Sequence, residues 1–111
     1  MFQGTIIKES LSDETILDFV DIEYVEIWKT PYTPKYWTVI FFVSKQEDFP
    51  KKLSKVLTGS WYCDMKTDET KILVFKDKVM KYTIGDKKGK DKVLDYCRKI
   101  GIIEEQLDWA D

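Results

Sequence analysis

Apolar and polar positions alternate along most of this chain, and the alternation predicts a protein built mainly of short strands. Residues 4–8 read as a short strand. Residues 21–29 alternate again, with Val25 and Ile27 on one face and Ile22, Tyr24, Glu26 and Trp28 on the other. Residues 36–43 carry the strongest strand signal: Trp37, Val39, Phe41 and Val43 line one face, and Tyr36, Ile40 and Phe42 the other. Both faces are apolar, so this strand is expected to lie centrally in a sheet, covered over most of both sides. Three further runs, 60–66, 70–76 and 78–84, predict a meander turned at Thr67-Asp68-Glu69 and near Asp77.

The helical signals are shorter. Ser10 or Ser12 is placed to cap a helix over about 12–19, with Asp13 and Glu14 in its first turn. Asp48 as N-cap puts Pro50 in a first turn, where a missing N–H costs nothing. Phe49, Leu53, Val56 and Leu57 then form one stripe, and Gly59 closes the helix. A last helix is predicted over about 90–100, with Val93, Leu94, Cys97 and Ile100 inward and Gly101 as its stop. Residues 103–108 suit one more turn that carries Trp109 back onto the body. The order β-α-β-β-α-β-β-β-α defines an α+β domain over 1–111 with a mainly antiparallel sheet. Its first six elements match a ferredoxin-like arrangement, which an added hairpin and C-terminal helix would extend. An antiparallel sheet with its helices on one face is the alternative.

Composition narrows the chemistry. The 111 residues contain no histidine, 18 basic and 20 acidic side chains, and a net charge of −2. Histidine is the usual proton shuttle near neutral pH and the commonest metal ligand, so its absence argues against most triads and catalytic zinc sites. The charges are mixed and give no electrostatic footprint for nucleic acid. Stacking of single-stranded nucleic acid on aromatic rings is the weakest of the functional expectations. The run Val39-Ile40-Phe41-Phe42-Val43 is too short to span a bilayer. The N-terminus lacks the pattern of a secretory signal. Two cysteines, Cys63 and Cys97, make no framework and no CxxC pair, and they suit reduced thiols in a cytoplasmic protein, with a single bridge as the alternative. No carboxylate spacing matches a calcium loop, and no metal or other cofactor is expected.

Aromatic residues make up 14% of the chain, and they concentrate where the strands turn. Trp28, Lys29, Tyr32, Lys35, Tyr36 and Trp37 fall within ten positions, with Pro31 and Pro34 between them. Rings beside cations suit a protein partner, a proline-rich peptide or self-association. The competing reading buries Trp28 and Trp37 in the core and leaves the tyrosines at its rim. A second candidate is Trp61-Tyr62-Cys63-Asp64. On a strand, Tyr62 and Asp64 share one face and could orient a small ligand or handle a proton, while Trp61 and Cys63 share the other. Cys63 is a nucleophile only if a nearby cation lowers its pKa. A third segment, Gly85-Asp86-Lys87-Lys88-Gly89-Lys90-Asp91, has the strand-to-helix setting of a phosphate loop but is one residue short of that spacing. Asp91 there is more simply a helix N-cap. The acids Glu104, Glu105, Asp108 and Asp111 read as a solvated end. The favoured expectation is a non-enzymatic protein-interaction module that uses the aromatic loop or a sheet edge. A small-ligand or enzymatic site around Tyr62, Cys63 and Asp64 is the alternative.

The C-terminal half carries a further pattern. Gly59-Ser60-Trp61-Tyr62-Cys63-Asp64, the hairpin through Ile72–Val79, Tyr96, and Gly101-Ile102-Ile103-Glu104-Glu105-Gln106-Leu107-Asp108-Trp109 follow one another. Together they resemble a group of small uncharacterised bacterial proteins with a Gly-x-Trp-Tyr-x-Asp strand and a Gly-Ile-Pro-Glu-x-Gln-Leu-Asp-Trp/Phe ending. Ile103 stands where that pattern has proline. The resemblance implies a bacterial cytosolic domain without assigned activity, and it transfers no catalytic residue.

Overall fold

The computed structural model describes residues 1–111. Six strands form one antiparallel sheet: β1 (Phe2–Ile7), β2 (Asp21–Lys29), β3 (Tyr36–Ser44), β4 (Cys63–Lys66), β5 (Thr70–Phe75) and β6 (Lys78–Thr83), in the order β2-β3-β1-β4-β5-β6. The four strands β4-β1-β3-β2 have the order and directions of the ferredoxin-like arrangement, and the β5–β6 hairpin adds to it beyond β4. The helices are α1 (Phe49–Ser54) and α2 (Lys87–Lys99).

The predicted first helix is instead a 3-10 turn over Glu14–Phe19. Its cap is Asp13, not Ser10 or Ser12. The Asp13 carboxylate accepts from the Thr15 N–H at 3.0 Å and the Thr15 hydroxyl at 2.7 Å, which holds the chain in a tight turn and lowers the Asp13 pKa. Ser10 and Ser12 donate to the carbonyls of Ile7 and Val56. Asp48 does precede α1, and Pro50 sits in its first turn. α2 begins earlier than predicted, after Asp86 rather than Asp91, with Gly89 inside the helix. A Cβ on Gly89 would come within 2.7 Å of the Tyr82 Cβ, so this glycine lets α2 lie close on β6. The lysine-rich segment is therefore a helix start and not a phosphate loop.

Strand registers divide the side chains between two faces. On the first face Ile6, Ile40, Phe42, Cys63, Met65, Ile72 and Val74 pack under α1 and the 3-10 turn, through Phe49, Leu53, Leu57 and Ile16. On the second face Leu73, Phe75 and Tyr82 pack under α2, through Val93 and Cys97, with Ile102 and Trp109 from the tail. The helices thus lie on opposite faces, not on one. Cys63 and Cys97 belong to different layers with the sheet between them, and both are free.

β3 is next to the edge and unevenly covered: Ile40 and Phe42 on the first face and Val39 on the second are buried, whereas Trp37, Phe41 and Val43 on the second face are partly open. β2 is the edge, and all nine of its residues are exposed. A bulge at Glu23 shifts its register between Ile22 and Tyr24. That extra residue moves Ile22 to the face of Val25 and Ile27, a placement that regular alternation misses. No helix is long and apolar enough to cross a membrane.

Candidate aromatic cleft

The two candidate sites of the sequence come together. The second face is covered by α2 over β5 and β6 but by no helix over β2 and β3. The loop after β2 folds over this open part. Thr30 fixes the loop: its N–H donates to the Lys35 carbonyl at 2.7 Å, and its hydroxyl accepts from the Tyr32 N–H at 3.2 Å. The Thr33–Pro34 peptide is cis, and the Trp37 indole N–H donates to the Pro34 carbonyl at 3.0 Å. Tyr32 stacks nearly parallel to Trp37, with ring centroids 5.9 Å apart.

The opposite wall comes from the segment before β4 and from the tail. Gly59 takes a positive φ of 55° and turns the chain after Leu57. β4 starts only at Cys63, so Trp61 lies ahead of the strand and escapes its alternation. Trp61 meets Trp37 edge-on at 4.9 Å instead of sharing the core with Cys63. Trp109 returns from the tail as expected, meets Tyr62 edge-on at 5.5 Å and donates its indole N–H to the Tyr82 hydroxyl at 2.9 Å. Between these walls lies a cleft of about 900 Å³. Trp28, Tyr32, Trp37, Tyr62 and Asp64, all singled out from the sequence, line it. Trp61, Trp109, Glu105 and Asp108 join them. Lys35 and Tyr36 do not: they sit outside the cleft, with the Lys35 Nζ 6.0 Å from the Tyr36 ring. Trp28 remains 43% exposed, which contradicts its placement in the core.

The polar groups are already engaged. The Tyr62 hydroxyl donates to the Gln106 carbonyl, which ties the residue just before β4 to the tail. Burial pushes the Tyr62 pKa well above the ordinary tyrosine value, and Asp64 and Asp108 push it further in the same direction. Tyr62 is therefore a fixed neutral donor. Asp64 forms an ion pair at 2.8 Å with Lys71, whose side chain is only 4% exposed. Lys71 also donates to the Ala110 carbonyl at 2.6 Å, so one ammonium group fastens the tail to β4. Cys63 points away, into the first layer. Its thiol donates to the Thr5 carbonyl at 3.1 Å, and burial raises its pKa well above the ordinary thiol value. A buried neutral thiol on the far side of the sheet is not the nucleophile of this cleft.

The cleft's charge is slightly uneven: Asp64 is matched by Lys71, and Glu105 and Asp108 stand against Lys29. Rings with carboxylates among them attract cations and stack on flat or apolar groups. Glu105 and Asp108 have no local signal in the sequence beyond a polar tail. They reach the cleft because Trp109 and Lys71 dock that tail. Compared with known proteins, this chain matches no family model, no curated protein and no solved structure.

Proposed function

We propose that this protein is a non-enzymatic binding module whose aromatic cleft takes an extended peptide segment of a protein partner, rich in proline and carrying a basic residue. One observation carries the reading: the rings of the β2–β3 loop and those flanking β4 converge on one open cleft, although they lie far apart in sequence. Proline rings stack on exposed tryptophan and tyrosine with little loss of chain entropy, and a basic side chain complements the cleft's carboxylates. Tyr62, Asp64 and Cys63 support no catalytic role in this reading, since each is held in one state by its partners.

The two parts of the sequence pattern shared with the bacterial group contribute one wall: Gly59–Asp64 and Gly101–Trp109 meet through Tyr62 and Gln106. The proposal extends to that group a common tail clasp, and a cytoplasmic setting suits the two free buried thiols. A second reading, a small organic cation or sugar, draws on the cleft volume, which falls within the range of about 300–1,000 Å³ usual for small-molecule sites.

Titration of intrinsic tryptophan fluorescence with an immobile-free set of short Arg-Pro-Pro and Pro-Pro-Lys repeat peptides tests the proposal. Saturable shifts are expected, with at least about tenfold weaker binding in Trp61→Ala and Tyr32→Ala at unchanged circular dichroism. Absence of a shift up to millimolar peptide contradicts the peptide reading, and a shift with betaine or an oligosaccharide alone transfers the cleft to the second.

A further inference from the structure

The tail is a wall of the cleft that the sheet does not hold. After the short 3-10 turn Glu104–Gln106, residues 107–111 pair with no strand. No backbone N–H of 108–111 donates within the chain. Side chains from beneath hold the segment instead. The Lys71 ammonium donates to the Ala110 carbonyl at 2.6 Å and pairs with Asp64 at 2.8 Å. The Tyr82 hydroxyl accepts from the Trp109 indole and donates to the Asp111 carboxylate, which Lys90 also meets at 3.5 Å.

Neither Lys71 nor Tyr82 lines the cleft, yet the tail they hold gives it Glu105, Gln106, Asp108 and Trp109. A segment outside the sheet, fastened by a few side-chain contacts, opens more readily than the strands under it. When it lifts, the cleft loses that wall, and with it the Glu105 and Asp108 carboxylates.

We propose that Lys71 is a positioning residue for the cleft, and that peptide binding and tail docking form one coupled equilibrium. The inference rests on the peptide reading of the cleft. Only the docked form binds, so affinity falls with the docked fraction, and bound peptide in turn holds the tail down. Lys71 also separates this coupling from a plain charge effect. Its loss leaves Asp64 without a cation and makes the cleft more acidic, which by charge alone favours a basic peptide. Loss of the tail wall predicts the reverse.

Hydrogen exchange in the native chain tests the coupling without any substitution. The Trp109 indole N–H is bonded to Tyr82 and buried with its ring, so it exchanges when the tail lifts. An Arg-Pro-Pro repeat peptide at about a hundred times its Kd is expected to slow that exchange about a hundredfold. Lys71→Met is expected to speed it at least about tenfold and to bind the peptide at least about tenfold more weakly, while the amides of β1 and β3 stay protected. Tyr82→Phe is expected to shift both quantities in the same directions, and it carries this arm if Lys71→Met fails to fold. Indole exchange that is unchanged at saturating peptide overturns the coupling. So does a Lys71→Met chain that binds as tightly as the native one, or more tightly. Both of those failures leave the peptide reading standing, whereas a native chain that binds no such peptide takes down the reading and this inference together.

Discussion

At the residue scale, the cleft depends on which way a few side chains turn. Alternation placed Tyr62 and Asp64 together and Cys63 opposite, and the structure keeps that division. It put Trp61 on the face of Cys63, wrongly, because the strand begins two residues later and periodicity has no hold on the turn before it. Cys63 and Cys97 are both buried, and burial pushes the Cys97 thiol up to about 11. Neither thiol is expected to react with a disulfide reagent in the native protein within minutes, while both react in guanidinium; rapid native labelling of Cys63 would contradict its burial.

Tyr62 and Tyr82 have pKa values raised above the ordinary 10.0, in each case chiefly by burial. A raised folded value means that the folded chain holds the proton more tightly than the unfolded one. Their contribution to stability is therefore complete below pH 10.0 and is lost as pH rises through the folded values. Alkaline titration followed at the tyrosinate absorbance is expected to show these two phenols ionising late, together with unfolding. Gly4 is a close-approach site: a Cβ there would lie 2.7 Å from the Met65 Cβ and closer still to the Asp64 carbonyl. Gly4→Ala is expected to cost about 1–3 kcal/mol in urea unfolding by forcing β1 and β4 apart.

At the scale of elements, the strands were legible and the connectors less so. Every predicted strand is present, because alternation over several residues survives in the fold. The 12–19 segment was misread because its apolar residues are too few to sustain a helix once Asp13 and Thr15 form a tight turn. The start of α2 was misread because Gly89 resembles a loop residue until Tyr82 is known to lie against it. The tail behaved as its apolar anchors suggested, and Lys71, which no sequence signal marked, holds it from beneath. Trp109 packs with Tyr62 and bonds to Tyr82, so Trp109→Ala is expected to lower stability by about 3 kcal/mol. Amide exchange should then speed up across 102–109 first; uniform loosening of the whole sheet would argue that the tail is not a separate clasp.

At the scale of the molecule, two hydrophobic layers share one sheet and leave part of its second face uncovered. α1 and the 3-10 turn fill one side, while α2 and the tail fill the far half of the other. The uncovered part holds the densest aromatic cluster of the chain, between the β2–β3 loop and the tail. Composition showed the aromatic excess but not its display, since a ring that stacks in the core and one that rims a cleft look alike in sequence. The convergence of the two candidate segments is a product of strand order: β3 and β4 flank β1 on either side, and Trp37 at the start of β3 meets Trp61 ahead of β4.

The most direct measurement is a ¹H–¹⁵N correlation spectrum of the indole N–H groups during titration with an Arg-Pro-Pro repeat peptide. The signals of Trp28, Trp37 and Trp61 are expected to move together and saturate, with the backbone amides of 58–62, and to need at least about tenfold more peptide in the Tyr32→Ala variant. Indole signals that remain fixed to millimolar peptide, or shifts gathered instead along α1, would contradict the cleft as a peptide-binding site.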